Sequence, residues 1–299
     1  MKRFVYDILI GLLIFMIIWI AGEYAFSKME VSNNYSYKYN YVKGNPAIKT
    51  LFIGHSHFEC GINPYLMDSA FNFAISGRRW AYWDAELAED VFLTMPNLKT
   101  VVFPLGYSIP YESAHYIELN EGWKDYIYLY SKYMHVPYDR FPQNVIYNSA
   151  VLRNKMGCKY WQDDLLDSLG YARRYGKSSV WAEGSYFDPE LYNGAIALLC
   201  YQEFLGYLTD IAKVCAENDI RFVAVTTPCA DCYLKNTRDQ GVRNMYNLID
   251  SVRVQYPIEY FNYLDDAEFR SDSIYFNCTH LNTIGADIFT KRLINDLEL

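Results

Sequence analysis

The stretch KTLFIGHSH, residues 49–57, joins a short apolar run to a turn that starts at a glycine. A short apolar run that ends at glycine is typical of a strand buried on both faces of a parallel sheet. Ser56 then lies just beyond the carboxyl end of that strand, between two histidines. It is either a nucleophile presented by the turn or the first polar residue of an ordinary turn.

Further apolar runs alternate with helical patterns along the chain, and the alternation predicts an α/β fold: a three-layer α/β/α sandwich around a central parallel sheet. In such open sheets, ligands bind beyond the carboxyl ends of the strands. Ser56, Gly77, Ser108 and residues 226–229 are therefore expected along one edge. The other predicted strands are 70–76, 99–106, 220–228 and 258–263, and the predicted helices are 83–95, 194–218, 241–255 and 283–297.

The N-terminus is almost wholly apolar from Phe4 to Gly22, which is enough for a helix of roughly 20 residues to cross a bilayer. Lys2 and Arg3 precede this run and no comparable basic cluster follows it, so the N-terminus is expected inside and the rest of the chain outside. We predict an uncleaved anchor rather than a cleaved signal peptide, because the run is long and lacks a clear cleavage site.

The predicted domain organisation has three parts: an anchor over 1–25, a polar juxtamembrane linker over 26–46 and a domain over 47–299. Within that domain the βα alternation lapses from about 107 to 190, where aromatic residues are frequent. We interpret this range as an insertion that serves as a lid or substrate platform. The chain has 30 tyrosines and six tryptophans, which commonly line sugar-binding surfaces, although most of them are expected to fill the core and its rim.

The charge pattern excludes nucleic acid as a partner. The formal net charge is −8, and no basic run follows the N-terminus, so the positive footprint that phosphate binding requires is missing.

The cysteines and histidines predict neither a metal nor a cofactor. Cys229 and Cys232 form a lone C-x-x-C, for which we expect a local disulfide or two free thiols rather than half of a zinc site. The H-x-H-x-x-C pattern of residues 55–60 lies on a single turn without a distant fourth ligand, so we take it as incidental.

His280 is the strongest candidate for a base, since it lies in NCTHLNTIGA, immediately before the last predicted helix. Together with FIGHSHFE and FNFAISG, this motif resembles the SGNH (GDSL-like) hydrolase superfamily. The resemblance runs from about residue 49 to 299 and implies a flavodoxin-like sandwich. It also implies Ser56 as nucleophile, His280 as general base and then acid, and the backbone N–H groups of Ser56 and Gly77 as oxyanion donors.

Two positions depart from the family pattern. Asn277 stands where an aspartate usually precedes the histidine by three residues, and Ser108 stands where an oxyanion asparagine is usual. An amide can hold one imidazole tautomer but brings no charge, so the site is either a Ser–His dyad or borrows an acid from Asp272 or Asp266. The alternative for His280 is a structural histidine that caps the last helix.

Four further residues flank the predicted site. His55 and His57 cannot both point at the serine, and we predict them as rim residues that contact substrate. Arg78 and Arg79 follow the oxyanion glycine and are either an anion or carboxylate clamp or merely solvated.

The resemblance and the aromatic insertion together predict a membrane-anchored serine acyl esterase or O-acyltransferase working outside the cytoplasmic membrane. Its expected substrate is acylated, especially acetylated, cell-envelope or exported polysaccharide, with other envelope-biosynthesis proteins as expected partners. The alternative is a catalytically inert SGNH fold that binds glycan or a protein partner. A thiol-redox role for residues 229–232 is a third alternative.

Overall fold

The computed structural model describes residues 2–27, 34–77, 81–111, 166–181, 194–237 and 239–299. These residues belong to two compact units: those up to Ser36 fall in the first, and those from Tyr37 to the carboxyl terminus fall in the second.

The first unit contains helix α1, Lys2–Ser27. Within it, Arg3–Ala25 is 23 residues long, and its most apolar window of 18 residues has a mean hydropathy of 2.5, with none of that window buried inside the protein. By length and composition it can cross a membrane, as the sequence predicts. Its orientation in a membrane stays a prediction.

Helix α2, Asn34–Val42, lies within the range predicted as a linker. Lys38, Tyr39 and Val42 are buried, and their spacing puts them on one side of a helix. Hydropathy conceals this pattern because one of the buried positions is a lysine. The range predicted as a linker is therefore in part a packed helix.

The second unit is built on a parallel sheet with the strand order β2-β1-β3-β4-β5. Every adjacent pair is parallel, with Phe52 in register with Asn72 on one side and with Val102 on the other. The predicted α/β fold with a parallel sheet is thus confirmed. The strands are β1 Thr50–Phe52, β2 Ala70–Asn72, β3 Thr100–Pro104, β4 Arg221–Thr226 and β5 Glu259–Asn262.

Helices cover both faces of this sheet. On one face α3 packs against α8, and on the other α5 contacts both α4 and α7. The helices are α3 Ser56–Gly61, α4 Tyr82–Val91, α5 Ala195–Glu217, α6 Asp231–Leu234, α7 Asp239–Arg253 and α8 Thr283–Leu297. Since β1 lies inside the sheet, beside the point where the strand order reverses, the residues that follow it lie where such folds bind ligands.

The disulfide differs from the sequence prediction. Cys232 bonds to Cys278, 46 residues away, with the two Cα atoms 5.8 Å apart, and Cys229 is a buried free thiol. The expectation of a local bridge or two free thiols at residues 229–232 was wrong, because the loop after β5 returns to the start of α6, where the Ala230 N–H donates to the Cys278 carbonyl (3.0 Å). Burial raises the pKa of Cys229 to about 12, so it stays protonated.

Candidate active site

The turn that presents Ser56 depends on Gly54. This glycine has a φ of +100°, and a Cβ there would lie 2.4 Å from the ring of Pro104 in β3. Its N–H donates to a carboxylate oxygen of the buried Asp84 (3.0 Å). Only glycine fits this conformation and this close approach. The turn then starts α3 at Ser56, which is half-buried.

Ser56 meets His280 at the carboxyl edge of the sheet. Ser56 Oγ and His280 Nε2 lie 2.8 Å apart although 224 positions separate the residues. His280 lies directly before α8, whose N-cap is Asn282: the Asn282 side chain accepts from the N–H groups of Ile284 and Gly285. Because Asn282 caps the helix, His280 is not needed for that role, and its ring is available to the serine.

Asn277 fixes the tautomer of His280. Its Oδ1 accepts from the backbone N–H groups of Thr279 (3.1 Å) and His280 (2.9 Å), so the atom facing these donors must be oxygen rather than nitrogen. The same oxygen lies 3.0 Å from His280 Nδ1. Nδ1 must therefore carry the proton, which leaves Nε2 as an acceptor for the Ser56 hydroxyl.

Neither Asp272 nor Asp266, the two candidate acids, lies within hydrogen-bond distance of His280 Nδ1. Asp272 is an exposed residue 3.9 Å from Lys177, and Asp266 caps a short helical turn through the Glu268 N–H (2.9 Å). Among the described residues, only Asn277 and Thr279 (Oγ1, 3.0 Å) lie within hydrogen-bond distance of His280 Nδ1. Within that part of the chain the site is a serine–histidine pair oriented by an amide.

Burial keeps the histidines of the site neutral. The pKa of His280 is lowered well below 6.5, first by burial and then by His57 and the positive charge of Arg174. Burial alone lowers the pKa of His57 to about 4. A neutral imidazole is the form that can accept the serine proton, so the base is ready at neutral pH.

The two flanking histidines have different surroundings. His55 is 5% exposed, and its Nδ1 accepts from the His57 N–H (3.5 Å) at the start of α3, so it lies inside the protein rather than at the predicted rim. His57 is half-buried, edge-on to His280 with ring centroids 4.9 Å apart, and its Nδ1 lies 3.4 Å from Thr227 Oγ1. His57 is therefore a neighbour of the proposed base.

The predicted oxyanion residues follow the neighbouring strands. Gly77, after β2, is exposed and has a φ of +76°, and Ser108, after β3, is half-buried. Within the described ranges, no residue accepts a hydrogen bond from the N–H of Ser56 or of Gly77. Arg78, Arg79 and most of the predicted insertion lie outside the described residues.

Sequence reasoning missed four residues near this site. Thr279 Oγ1 lies 3.0 Å from His280 Nδ1, and, besides burial, the charge of Arg174 lowers the pKa of His280. The Arg174 carbonyl accepts from the Thr283 N–H (2.8 Å) at the start of α8. Lys38 and Glu59 support the loop that leads to Gly77. Of these four residues, only Glu59 could have been found from the sequence. It is an acid three positions after Ser56, and one helical turn places the two residues on the same side of a helix.

Comparisons with known proteins give little that bears on function. No family model matches the sequence, and no curated protein matches it. A solved structure of a "putative platelet activating factor" from Streptococcus pneumonia is similar over 97% of this chain and 99% of its own, with 11% identity and a TM-score of 0.44. That likeness is too distant to carry an activity to this chain.

Proposed function

We propose that this protein is a serine-dependent acyl esterase or O-acyltransferase. One observation carries the proposal: Ser56 Oγ lies 2.8 Å from His280 Nε2, and Asn277 holds the ring in the tautomer that leaves this nitrogen free to accept. A nucleophile within hydrogen-bond reach of a base that a third group orients is the arrangement that acyl transfer uses.

The proposed reaction has two halves. In the first, His280 Nε2 takes the Ser56 proton while Oγ attacks the acyl carbonyl. The N–H groups of Ser56 and Gly77 stabilise the oxyanion. The intermediate then expels the alcohol, which takes the proton back from His280, and leaves the acyl group on Ser56. In the second half, His280 deprotonates water or a sugar hydroxyl, which attacks the acyl carbonyl; the bond to Ser56 Oγ then breaks, and Oγ takes the proton back from His280.

Asn277 makes this a slower version of a charged triad. The usual aspartate orients the imidazole, fixes its tautomer and stabilises the imidazolium that forms in the transition state. The Asn277 oxygen provides the orientation and the tautomer. It does not stabilise the imidazolium, because an amide has no charge. The expected rate is therefore reduced without being abolished.

We further propose that the protein is anchored by α1, with its catalytic domain outside the cytoplasmic membrane. The length and apolar composition of α1 and the two basic residues before it support this topology. The bond between Cys232 and Cys278 fits the same location, since disulfides persist in oxidising compartments.

The proposed substrate is an acylated, especially acetylated, polysaccharide of the cell envelope or of exported material. The motifs around Ser56, Gly77 and His280 resemble a superfamily whose tethered members often add or remove such groups, and the aromatic residues would provide a sugar-binding surface.

Labelling with a fluorophosphonate probe tests the proposal on the full chain in detergent. The wild type should be labelled at Ser56, as located by peptide mass spectrometry, and Ser56→Ala and His280→Ala should lose at least a hundredfold in labelling rate. Ser251→Ala is a matched control, because that exposed hydroxyl only donates to the Asn247 carbonyl (2.7 Å) on α7. A folded wild-type protein that binds glycan but is never labelled would instead support the inert binding protein.

A second measurement tests the substrate class. Acetate release from an acetylated polysaccharide should depend on Ser56, and addition of free sugar acceptor should divert the acyl group from water if the protein is a transferase. If Ser56 is labelled but acetylated glycans are not turned over in a Ser56-dependent way, the proposed substrate class is wrong. The proposed role of Ser56 as a nucleophile would still be supported.

A further inference from the structure

A buried ion pair lies next to the proposed site. Lys38 Nζ on α2 lies 3.0 Å from Glu59 Oε1 on α3, and the two side chains are 0% and 2% exposed. Removing two charges from water costs several kcal/mol per ion, so such a pair is seldom kept for stability alone. The other hydrogen bonds of Lys38 and Glu59 show which part of the chain the pair holds in place.

Both partners hold the loop that leads to Gly77. Glu59 Oε2 accepts from the backbone N–H of Ser76 (2.7 Å) and also from the Ser76 hydroxyl. Lys38 Nζ, besides its bond to Glu59, donates to the carbonyl oxygen of Ala74. The pair therefore fixes the loop at two backbone positions, one on each side of Ile75.

Glu59 also belongs to the helix that carries the nucleophile. It lies three positions after Ser56 on α3, which is about one helical turn. One carboxylate thus connects the helix of Ser56 with the residue directly before Gly77. The position of the Gly77 N–H relative to Ser56 Oγ depends on this connection.

We propose that Glu59 and Lys38 are positioning residues that hold the Gly77 N–H in place to receive the oxyanion. This inference rests on the proposed function. It extends the site to the helix that follows the membrane anchor, because Lys38 comes from α2. Neither residue touches substrate. Both act through the backbone of residues 74–77.

Glu59→Gln is the decisive variant, because Lys38 and Ser76 bond to different oxygens of the carboxylate and a glutamine replaces one of those oxygens with an NH₂ group. We expect the rate of fluorophosphonate labelling at Ser56 to fall at least tenfold per folded molecule. Ser76→Ala removes only the hydroxyl contact and should fold like the wild type, with labelling about threefold slower. The double variant Lys38→Met/Glu59→Gln also loses the Lys38 bond to the Ala74 carbonyl, so its labelling should be at least as slow as that of Glu59→Gln.

Glu259→Gln is the matched control. Glu259 forms a bidentate pair with Arg221 at the amino-terminal ends of β5 and β4, at the opposite edge of the sheet from Ser56. This control should lower the melting temperature and leave the labelling rate per folded molecule unchanged.

The outcomes separate the two proposals. Absence of wild-type labelling overturns the proposed function itself. Wild-type labelling together with unchanged rates in folded Glu59→Gln and Ser76→Ala overturns the positioning role alone. If Glu59→Gln does not fold, Ser76→Ala decides: slower labelling supports the role, and an unchanged rate contradicts it.

Discussion

Asn277 Oδ1 lies 3.0 Å from His280 Nδ1 and accepts at the same time from the backbone N–H of His280 (2.9 Å). In the proposed site, the amide therefore takes the place of the aspartate of a serine triad and holds the orientation and tautomer of the imidazole. The difference between the two side chains is a charge, which can be restored without a change of shape.

Replacing Asn277 with aspartate should speed the reaction. The carboxylate keeps every hydrogen bond that Oδ1 accepts and adds a charge that stabilises the imidazolium, so we expect acyl transfer to rise roughly tenfold to a hundredfold, or about 1.4–2.7 kcal/mol. The same charge raises the pKa of His280, so the acid limb of the pH–rate profile should move upward. Stopped-flow turnover of an activated ester across pH 4–9 measures both effects.

Asn277→Ala is the companion variant, since it frees the ring and the two backbone N–H groups that Oδ1 holds. Its labelling rate should fall below that of the wild type. A rate in Asn277→Asp equal to or below the wild-type rate would show that the charge of a third group does not limit this site.

His57 should make the fold sensitive to acid. Its pKa is about 4 in the folded protein, lowered by burial, against about 6.5 when unfolded, so the unfolded state binds more protons between these values. The free energy of unfolding should therefore fall by about 3 kcal/mol as the pH drops from about 6.5 to about 4. Urea titrations at several pH values measure the slope.

His57→Asn removes this titration and keeps a polar side chain near Thr227. The acid-induced loss should become smaller in the variant, with only the part due to His280 and the carboxylates remaining. An identical slope in the two proteins would mean that His57 is not the group that titrates.

Much of the fold could be predicted from the sequence because its local patterns agree with its tertiary packing. The last helix, Thr283–Leu297, begins and ends where its periodicity predicts. Strand β1 lies inside the predicted run 49–54. A strand buried on both faces is a continuous apolar segment, so it can be recognised from its own residues alone. Helix α2 could not be recognised, because Lys38 interrupts the apolar side that a helical pattern requires.

The sequence pointed to Ser56, His280 and Asn277, which the structure brings together, but not to the hydrogen bonds between them. Only a resemblance pairs Ser56 with His280 in the sequence, and no sequence pattern shows that Asn277 Oδ1 faces four donors at once. The pairing of Cys232 with Cys278 was equally inaccessible, since the connectivity of several cysteines cannot be deduced from their spacing.

The disulfide should stabilise the turn that holds His280. Cys278 directly follows Asn277, and its bond to Cys232 closes a loop across 46 positions, which by chain entropy is worth about 4 kcal/mol. Cys232→Ser/Cys278→Ser, or the wild type in reductant, should melt at a lower temperature and label more slowly at Ser56. Non-reducing peptide mapping verifies the pairing.

Cys229→Ala controls for the free thiol beside this bond. The variant should keep the sensitivity of the wild type to reductant, because Cys229 takes no part in the bridge. If the variant loses that sensitivity, Cys229 rather than Cys232 is the bonded residue.

Gly54→Ala should damage the turn that presents Ser56. The added methyl meets the Pro104 ring at 2.4 Å and the residue must keep a φ of +100°, so the expected loss of stability is about 1–3 kcal/mol for the backbone conformation, with the steric clash adding to it. Labelling at Ser56 should slow as well, since relief of the clash moves residues 54–56.

Gly44→Ala separates backbone strain from the steric clash. Gly44 has a φ of +70°, but a Cβ there finds nothing closer than the Thr94 carbonyl at 4.0 Å. The Gly44→Ala variant should lose stability through backbone strain alone and keep the wild-type labelling rate. Equal labelling rates in the two variants would show that the close approach of Gly54 to Pro104 does not position Ser56.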